Sequence, residues 1–231
     1  MSKKAVVLLS GGLDSTTCCA IAASKGADIY ALTIDYNQRN VWEINAAKEV
    51  AKKYGAVEHV ILPINLRLFG GSALTDSSVE LARDVPIDEI GKTIPTSYVP
   101  ARNTIFLSLA LSFAETRGAS EIWTGVNALD YSGYPDCRPE YIDAFSKMAR
   151  LATKSGVSGS DISIETPLIF LTKADIIKRG VALGVDYSLT RTCYDLDEHG
   201  RACGRCESCV LRKRGFEEAG VSDPTVYRIY K

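Results

Sequence analysis

This 231-residue chain lacks an excess of charge of either sign: 27 Lys and Arg stand against 28 Asp and Glu, a formal net charge of −1. That balance argues against a broad nucleic-acid or membrane surface. Long apolar runs are missing as well. No stretch approaches the roughly 20 residues of a membrane span, and Met1-Ser2-Lys3-Lys4 leads into a run too short for a secretory signal core. The expectation is a cytoplasmic chain with no membrane and no direct nucleic-acid partner. After the first apolar run there is neither G-x-x-x-x-G-K-S/T nor G-x-G-x-x-G, so the two commoner phosphate-binding glycine motifs are excluded there. What remains is ordinary globular composition, 46% hydrophobic and 24% charged, at a length that suits one large α/β domain with a small appendage. In a reducing compartment the seven cysteines are thiols or metal ligands rather than disulfides.

Residues 5–9 read as a buried strand and 16–25 as a helix, and between them stands Ser10-Gly11-Gly12-Leu13-Asp14-Ser15. A glycine pair at a strand-to-helix turn lets backbone N–H groups close around an anion, and the helix N-terminus adds partial positive charge. Ser10 and Ser15 can donate to phosphate oxygens. Asp14 does not suit a bare anion nest and is better placed to meet a metal ion travelling with the phosphates.

Further strands are expected at 29–34, 58–62, 121–124 and 162–165, alternating with helices at 41–54, 105–117, 140–153 and 173–183. That alternation predicts a doubly wound, five-stranded parallel sheet covered on both faces. A nucleotide should bind at the carboxyl ends of its strands, near the first. The loop Asp35-Tyr36-Asn37-Gln38-Arg39 lies on that edge. Residues 63–100 are rich in Ser, Thr, Asp and Pro and form an excursion expected to cover the site. Arg102 and Asn103 open the next helix, where Arg102 could touch a nucleotide or substrate. The loop 125–139 gathers Asp130, Asp136, Tyr131, Tyr134, Arg138 and Asn127 at a strand end, a composition that suits a ligand pocket. Residues 154–161 read as a mobile Gly/Ser-rich loop. Thr172 caps the helix begun by Lys173, a lysine that could reach a phosphate.

Cys193, Cys203, Cys206 and Cys209 form C-x9-C-x2-C-x2-C. Four such thiolates match a closed, structural zinc site. A ferredoxin run would need cysteine at 213, where Lys213 stands; a three-cysteine iron–sulfur cluster stays open. The metal should pin a last helix, 210–219, to the Cys193 loop.

SGGLDS at 10–15 resembles the pyrophosphate loop of the ATP pyrophosphatase (PP-loop) superfamily. With DYNQR at 35–39, VPARN at 99–103, GYPDCR at 133–138, ETPL at 165–168 and the cysteine set, the chain as a whole resembles the 7-cyano-7-deazaguanine synthase family of queuosine and archaeosine biosynthesis. Members of that family often carry glycine where this chain has Asn37 or Ala101. The resemblance implies an adenine nucleotide alpha hydrolase-like fold, with a PP-loop domain over 1–185 and a zinc-binding helical appendage over 186–231 packed on it. It implies a ligase that uses ATP and ammonia to turn 7-carboxy-7-deazaguanine into the nitrile. The carboxylate is adenylated, ammonia gives an amide, and a second adenylation with loss of AMP gives the product.

ATP is expected on Leu8, Leu9, Ser10, Gly11, Gly12, Leu13, Asp14, Ser15, Thr16, Thr17 and Cys18, with magnesium beside Asp14. Asp14, Ser10, Arg102 and Lys173 are the candidate catalytic groups. Asp130 or Asp136 would take the N–H edge of the deazaguanine, Tyr131 or Tyr134 its face, and Arg138, Arg102 or Lys173 its carboxylate. A homodimer is expected from the family. No cysteine follows Met1 and no domain is spare for glutamine hydrolysis, so free ammonia is the expected nitrogen donor. Rival readings on the same loop are a tRNA thiolase, for which Cys137 would have to carry sulfur, a tRNA lysidine synthetase and an ammonia-dependent NAD synthetase. A zinc-stabilised nucleotide sensor without turnover is the non-enzymatic rival.

Overall fold

The computed structural model describes residues 2–38, 42–129 and 133–230, so the expectations placed on Arg39, Asp130 and Tyr131 lie outside the described residues. Strands β1 (Lys4–Leu8), β2 (Asp28–Asp35), β3 (Glu58–Pro63), β4 (Glu121–Trp123) and β5 (Ser163–Glu165) form one sheet in the order β3-β2-β1-β4-β5. Every pairing is parallel. The seven helices described are α1 (Leu13–Ser24), α2 (Trp42–Lys53), α3 (Arg102–Arg117), α4 (Pro139–Ala152), the single turn α5 (Lys154–Val157), α6 (Lys173–Ala182) and α7 (Glu207–Ala219). This is the doubly wound parallel sheet that the alternation predicted. None of these helices is long and apolar enough to cross a membrane.

Successive side chains of a strand face opposite ways, so each strand feeds two cores. Ala5 and Val7 of β1 join Ile29, Ala31 and Trp123, and pack on Cys18 and Ile21 of α1, Ile176 of α6 and Phe216 of α7. Val6, Leu32, Ile34 and Ile122 point the other way and meet Leu107 and Leu111 of α3 with Ile142 and Phe145 of α4. Both faces are covered, which is why β1 is a continuous apolar run rather than an alternating one. Helix α1 is built of Ser, Thr, Cys and Ala and is buried for most of its circumference.

Strand order reverses at β1, between β2 and β4, and the crevice outside that point is where open α/β sheets bind ligands. At this place Gly125, just past β4, presses on the start of α1: a methyl there would stand 2.9 Å from the Asp14 carbonyl carbon and the Ser15 nitrogen. Only a residue without Cβ allows that approach.

Three local expectations shift. Helix α3 begins at Arg102 rather than 105, because Ala101 takes a left-handed conformation (φ 54°) as its N-cap. Residues 154–161 contain the helical turn α5, closed by Thr153 Oγ1 accepting from the Gly156 N–H at 3.1 Å. Helix α7 starts at Glu207 because Cys206 is its N-cap. The excursion 64–100 is packed down by buried Leu74, Leu81 and Val99. It is tied to the cysteine segment by a bridge between Arg83 and Cys206 and by an ion pair between Arg205 and Asp84. Asn37 and Ala101 both have positive φ, 63° and 54°.

Candidate active site

The phosphate loop closes on itself before any ligand arrives. The Ser10 and Ser15 hydroxyls lie 3.0 Å apart, the Ser10 N–H donates to Ser15 Oγ at 3.2 Å, and the Ser15 hydroxyl donates to the Gly12 carbonyl at 3.2 Å. Gly12 is the N-cap of α1 and supplies no side-chain acceptor, so the first turn keeps its donors for an anion. Gly11 holds φ 79°, and a methyl there would collide with the Glu43 carbonyl oxygen and stand 2.6 Å from the Ala47 nitrogen. The loop is thus clamped between α1 and α2 by two positions that must be glycine-like, Gly11 and Gly125.

A cavity opens over this loop. Its wall takes in Leu8, Leu9, Ser10, Gly12, Leu13, Asp14 and Ser15 from the predicted nucleotide segment, and Arg102 and Tyr134 from the predicted substrate groups. Gly11, Thr16, Thr17 and Cys18 of the expected nucleotide set are buried outside that wall. Thr17 donates to the Leu13 carbonyl at 2.9 Å and shares a 2.8 Å hydrogen bond with the Tyr187 hydroxyl; Cys18 belongs to the core between α1 and α6.

Lys173 is no exposed lysine. Its Nζ donates to both Asp14 carboxylate oxygens, at 2.7 and 2.8 Å, with side-chain exposures of 7% and 18%. A candidate metal ligand and a candidate phosphate ligand therefore neutralise one another across the first turns of α1 and α6. Arg102 lies over the Tyr36 ring, 5.7 Å from its centroid, and donates to its hydroxyl at 3.3 Å. The Tyr36 ring in turn meets Phe106 at 5.6 Å.

The loop 125–139 divides. Tyr134 is buried, shares a 2.9 Å hydrogen bond with Ser97 and lines the cavity. Asp136 faces away from it: its Oδ2 accepts the Asn103 N–H at 2.9 Å, capping the start of α3 from a neighbouring loop. Arg138 is exposed, donates to the Pro135 carbonyl at 3.2 Å and does not reach the cavity wall. Cys137 does line it, but burial pushes its thiol up to about 12, with Asp136 adding to the rise, and its sulfur already accepts from Asn103 at 3.3 Å. A protonated, occupied thiol is a poor sulfur carrier at neutral pH.

Several wall residues escaped sequence reasoning. Glu43 sits in the first turn of α2, in a helix whose rhythm gave no sign of a site. Arg191, Thr192, Tyr194 and Ser208 come from the cysteine-bearing segment. The Arg191 N–H donates to the Gly11 carbonyl at 2.9 Å, stitching that segment to the phosphate loop.

Behind this wall, Cys193, Cys203, Cys206 and Cys209 are all buried, with sulfurs within 4.8 Å of one another. The sulfurs of Cys203 and Cys209 are 4.0 Å apart. A tetrahedral ion with sulfur at about 2.3 Å spreads its ligands to comparable separations. Backbone N–H groups of Asp195 and Cys203 donate to Cys193 Sγ, each at 3.2 Å, and that of Cys206 to Cys203 Sγ at 3.3 Å. Such donors favour thiolate. The donor set fits a closed structural metal site.

A parallel sheet with SGGLDS at its switch point, opening on a cavity, defines an α/β protein of the PP-loop class. Within that class the chain belongs to the QueC family: residues 4–220 match the family described as "Queuosine biosynthesis protein QueC". It is 58% identical over 227 residues to the 7-cyano-7-deazaguanine synthase of Myxococcus xanthus (strain DK1622), 98% of either chain. It is 60% identical over 228 residues to that of Dechloromonas aromatica (strain RCB), covering 99% of this chain and all of the relative.

Proposed function

We propose that the chain makes 7-cyano-7-deazaguanine from 7-carboxy-7-deazaguanine, ammonia and ATP. The observation that carries this reading is a single cavity wall running from the Ser10–Ser15 loop to Arg102 and the Tyr36, Phe106 and Tyr134 rings. It brings an anion cradle, aromatic rings and a guanidinium lying over one of those rings into one cavity.

Ser10, Ser15 and the first-turn N–H groups of α1 hold the β- and γ-phosphates. Arg102 offsets charge where a substrate carboxylate oxygen meets the α-phosphate, because two anions must approach there. The carboxylate attacks and pyrophosphate leaves. Ammonia attacks the acyl adenylate and AMP leaves. The amide oxygen then attacks a second ATP, and loss of AMP leaves the nitrile. Asp14 would hold a magnesium ion, which would screen phosphate charge when bound, and Lys173 would then be released toward the phosphates. In this reading an aromatic ring of the wall, Tyr134 or Phe106, stacks on the base.

The cysteine set holds zinc in this reading. Seven thiols, all buried and none in a disulfide, suit a reducing cytoplasm. A homodimer is part of the same proposal and is checked by sedimentation. Incubation with ATP, magnesium, ammonium and the acid should give a nitrile by mass, with AMP and pyrophosphate. ADP and phosphate as nucleotide products would sink the reading.

A further inference from the structure

Asp14 is engaged by Lys173, but the other carboxylate of the described cavity wall is not engaged. Glu43 is half-buried in the first turn of α2 and lines the cavity, and its carboxylate makes no hydrogen bond or ion pair among the described residues. Its position is fixed by the loop it packs on, since Gly11 lies so close to the Glu43 carbonyl oxygen that no Cβ fits between them. The charged and titratable groups sharing its wall are Arg102 from α3, Tyr36 from the end of β2, Asp14 from α1, Tyr134 and Cys137 from the loop after β4, and Arg191 and Tyr194 from the segment after α6.

The proposed reaction must shed protons from nitrogen. Ammonium cannot attack an acyl adenylate until it gives up a proton. The adenylated amide becomes a nitrile only when an N–H proton departs as the C–O bond to AMP breaks. A group that accepts those protons needs a free lone pair beside the reacting carbon and a pKa near the working pH. Arg102 and Arg191 offer no acceptor. Cys137 is held protonated, and burial raises the Tyr36 and Tyr134 hydroxyls above their ordinary range. Burial also pushes the Glu43 carboxyl up to about 7, with Arg102 opposing the rise. It shares one cavity wall with the phosphate loop and with the guanidinium expected at the substrate carboxylate.

We propose that Glu43 is the proton acceptor of both nitrogen steps. It takes a proton from ammonium, the freed nitrogen lone pair forms the C–N bond, and AMP leaves with the C–O electron pair; the second surplus N–H proton passes through the same carboxylate once the first has gone to solvent, leaving the neutral amide. The adenylated amide, formed as C=NH2+, gives its two N–H protons to Glu43 in turn as the C–O bond to AMP breaks and the nitrile forms, and each is returned to solvent. The inference rests on the function proposed above. Because only ionised Glu43 accepts a proton, the rate of nitrile formation should climb as pH rises through its pKa and level off above it.

The test compares the wild type with E43Q and E43D in two assays. ATP–pyrophosphate exchange with the deazaguanine acid and no ammonium reads adenylation alone; amide and nitrile formed with ammonium across pH read the nitrogen steps. In E43Q, exchange should stay within about threefold of wild type while nitrile formation falls by roughly 10²–10⁴, the usual worth of a positioned acid–base group. The rising limb near neutral pH should vanish. Hydroxylamine, which is already uncharged at neutral pH, should restore acyl transfer in E43Q, and E43D should keep part of the activity and the limb. Nitrile formation at the wild-type rate in E43Q would overturn the inference, as would a loss of exchange and of affinity for the acid that hydroxylamine does not relieve; the latter would make Glu43 a ligand of the base edge. Absence of exchange in the wild type would instead overturn the proposed function itself.

Discussion

In the cysteine cluster every functional atom is already turned inward. Four buried sulfurs converge within 4.8 Å, with backbone N–H groups donating to those of Cys193 and Cys203, and such a set can bind an ion but has no open position for a reaction. In the cavity over the phosphate loop the functional groups are held from behind and left open in front. Asp14 is held by Lys173, Arg102 by Tyr36, and Glu43 by the packing of its main chain on Gly11. Yet the two regions share a strand of sequence. Arg191, Thr192, Tyr194 and Ser208 belong to the cysteine segment and form part of the cavity wall. The closed region thus serves the open one by fixing where its wall stands.

Cys206→Ser should have the largest effect on both regions. Wild-type protein should carry about one zinc per chain, and the variant should lose metal and thermal stability together. Structural zinc binding is worth on the order of 10 kcal/mol of coupled folding energy. ATP affinity should fall with them, because Arg191 loses its anchor. Metal analysis and calorimetry check this; iron with a visible absorption band in the wild type would reject a zinc site.

Asp14→Asn should come next. AMP release should drop by at least about 100-fold if the carboxylate serves the phosphates. The protein should also lose roughly 3–5 kcal/mol in urea titration, since Lys173 is left charged and nearly buried without that partner. Adding Lys173→Met should recover stability without recovering activity, which separates the structural role of the pair from its catalytic one.

Asp136→Ala should cost about 1–2 kcal/mol, the worth of a helix cap, and weaken ATP and the deazaguanine acid alike. Ligand titrations of this variant that single out the acid would return Asp136 to the pocket. Arg138→Ala, an exposed control, should leave stability within about 0.5 kcal/mol of wild type.

One further expected effect, also small, has the opposite sign. Ala101 sits at φ 54° where an L side chain is strained. Ala101→Gly should relieve about 1–2 kcal/mol of left-handed strain and return part of it as unfolded-state entropy, for a net gain of roughly 0.5–1 kcal/mol. A shift of the denaturation midpoint to lower denaturant would show that the N-terminal turn of α3 needs the methyl.

Much of this was open to reading from residues alone, and the limits fall in a consistent place. The start and end of each strand were legible within a residue or two because apolar period and glycine stops act over a few neighbours. The α3 boundary was not, because a left-handed alanine leaves no signature; the resemblance to a family that often has glycine at 101 was the one hint. Asp136 and Arg138 looked like ligands by composition, yet the first is engaged by Asn103, 33 positions away, and the second by its own loop.

The sequence by itself determined the alternation of strands and helices, the anion loop between β1 and α1, and the four-thiolate set. Each is encoded within a short span by side-chain period, missing Cβ atoms or ligand spacing. Tertiary structure alone decided which reactive groups meet. Lys173 reaches Asp14 across 159 positions, Glu43 shares a wall with Arg102, and Arg191 closes on Gly11. Those meetings follow from β1 lying at the reversal of strand order, which brings the first turns of α1, α2 and α3 around one opening and sets the first turn of α6 against Asp14. Local pattern sets the face each residue takes within its own element, but only the order of strands in the sheet sets what lies across from it.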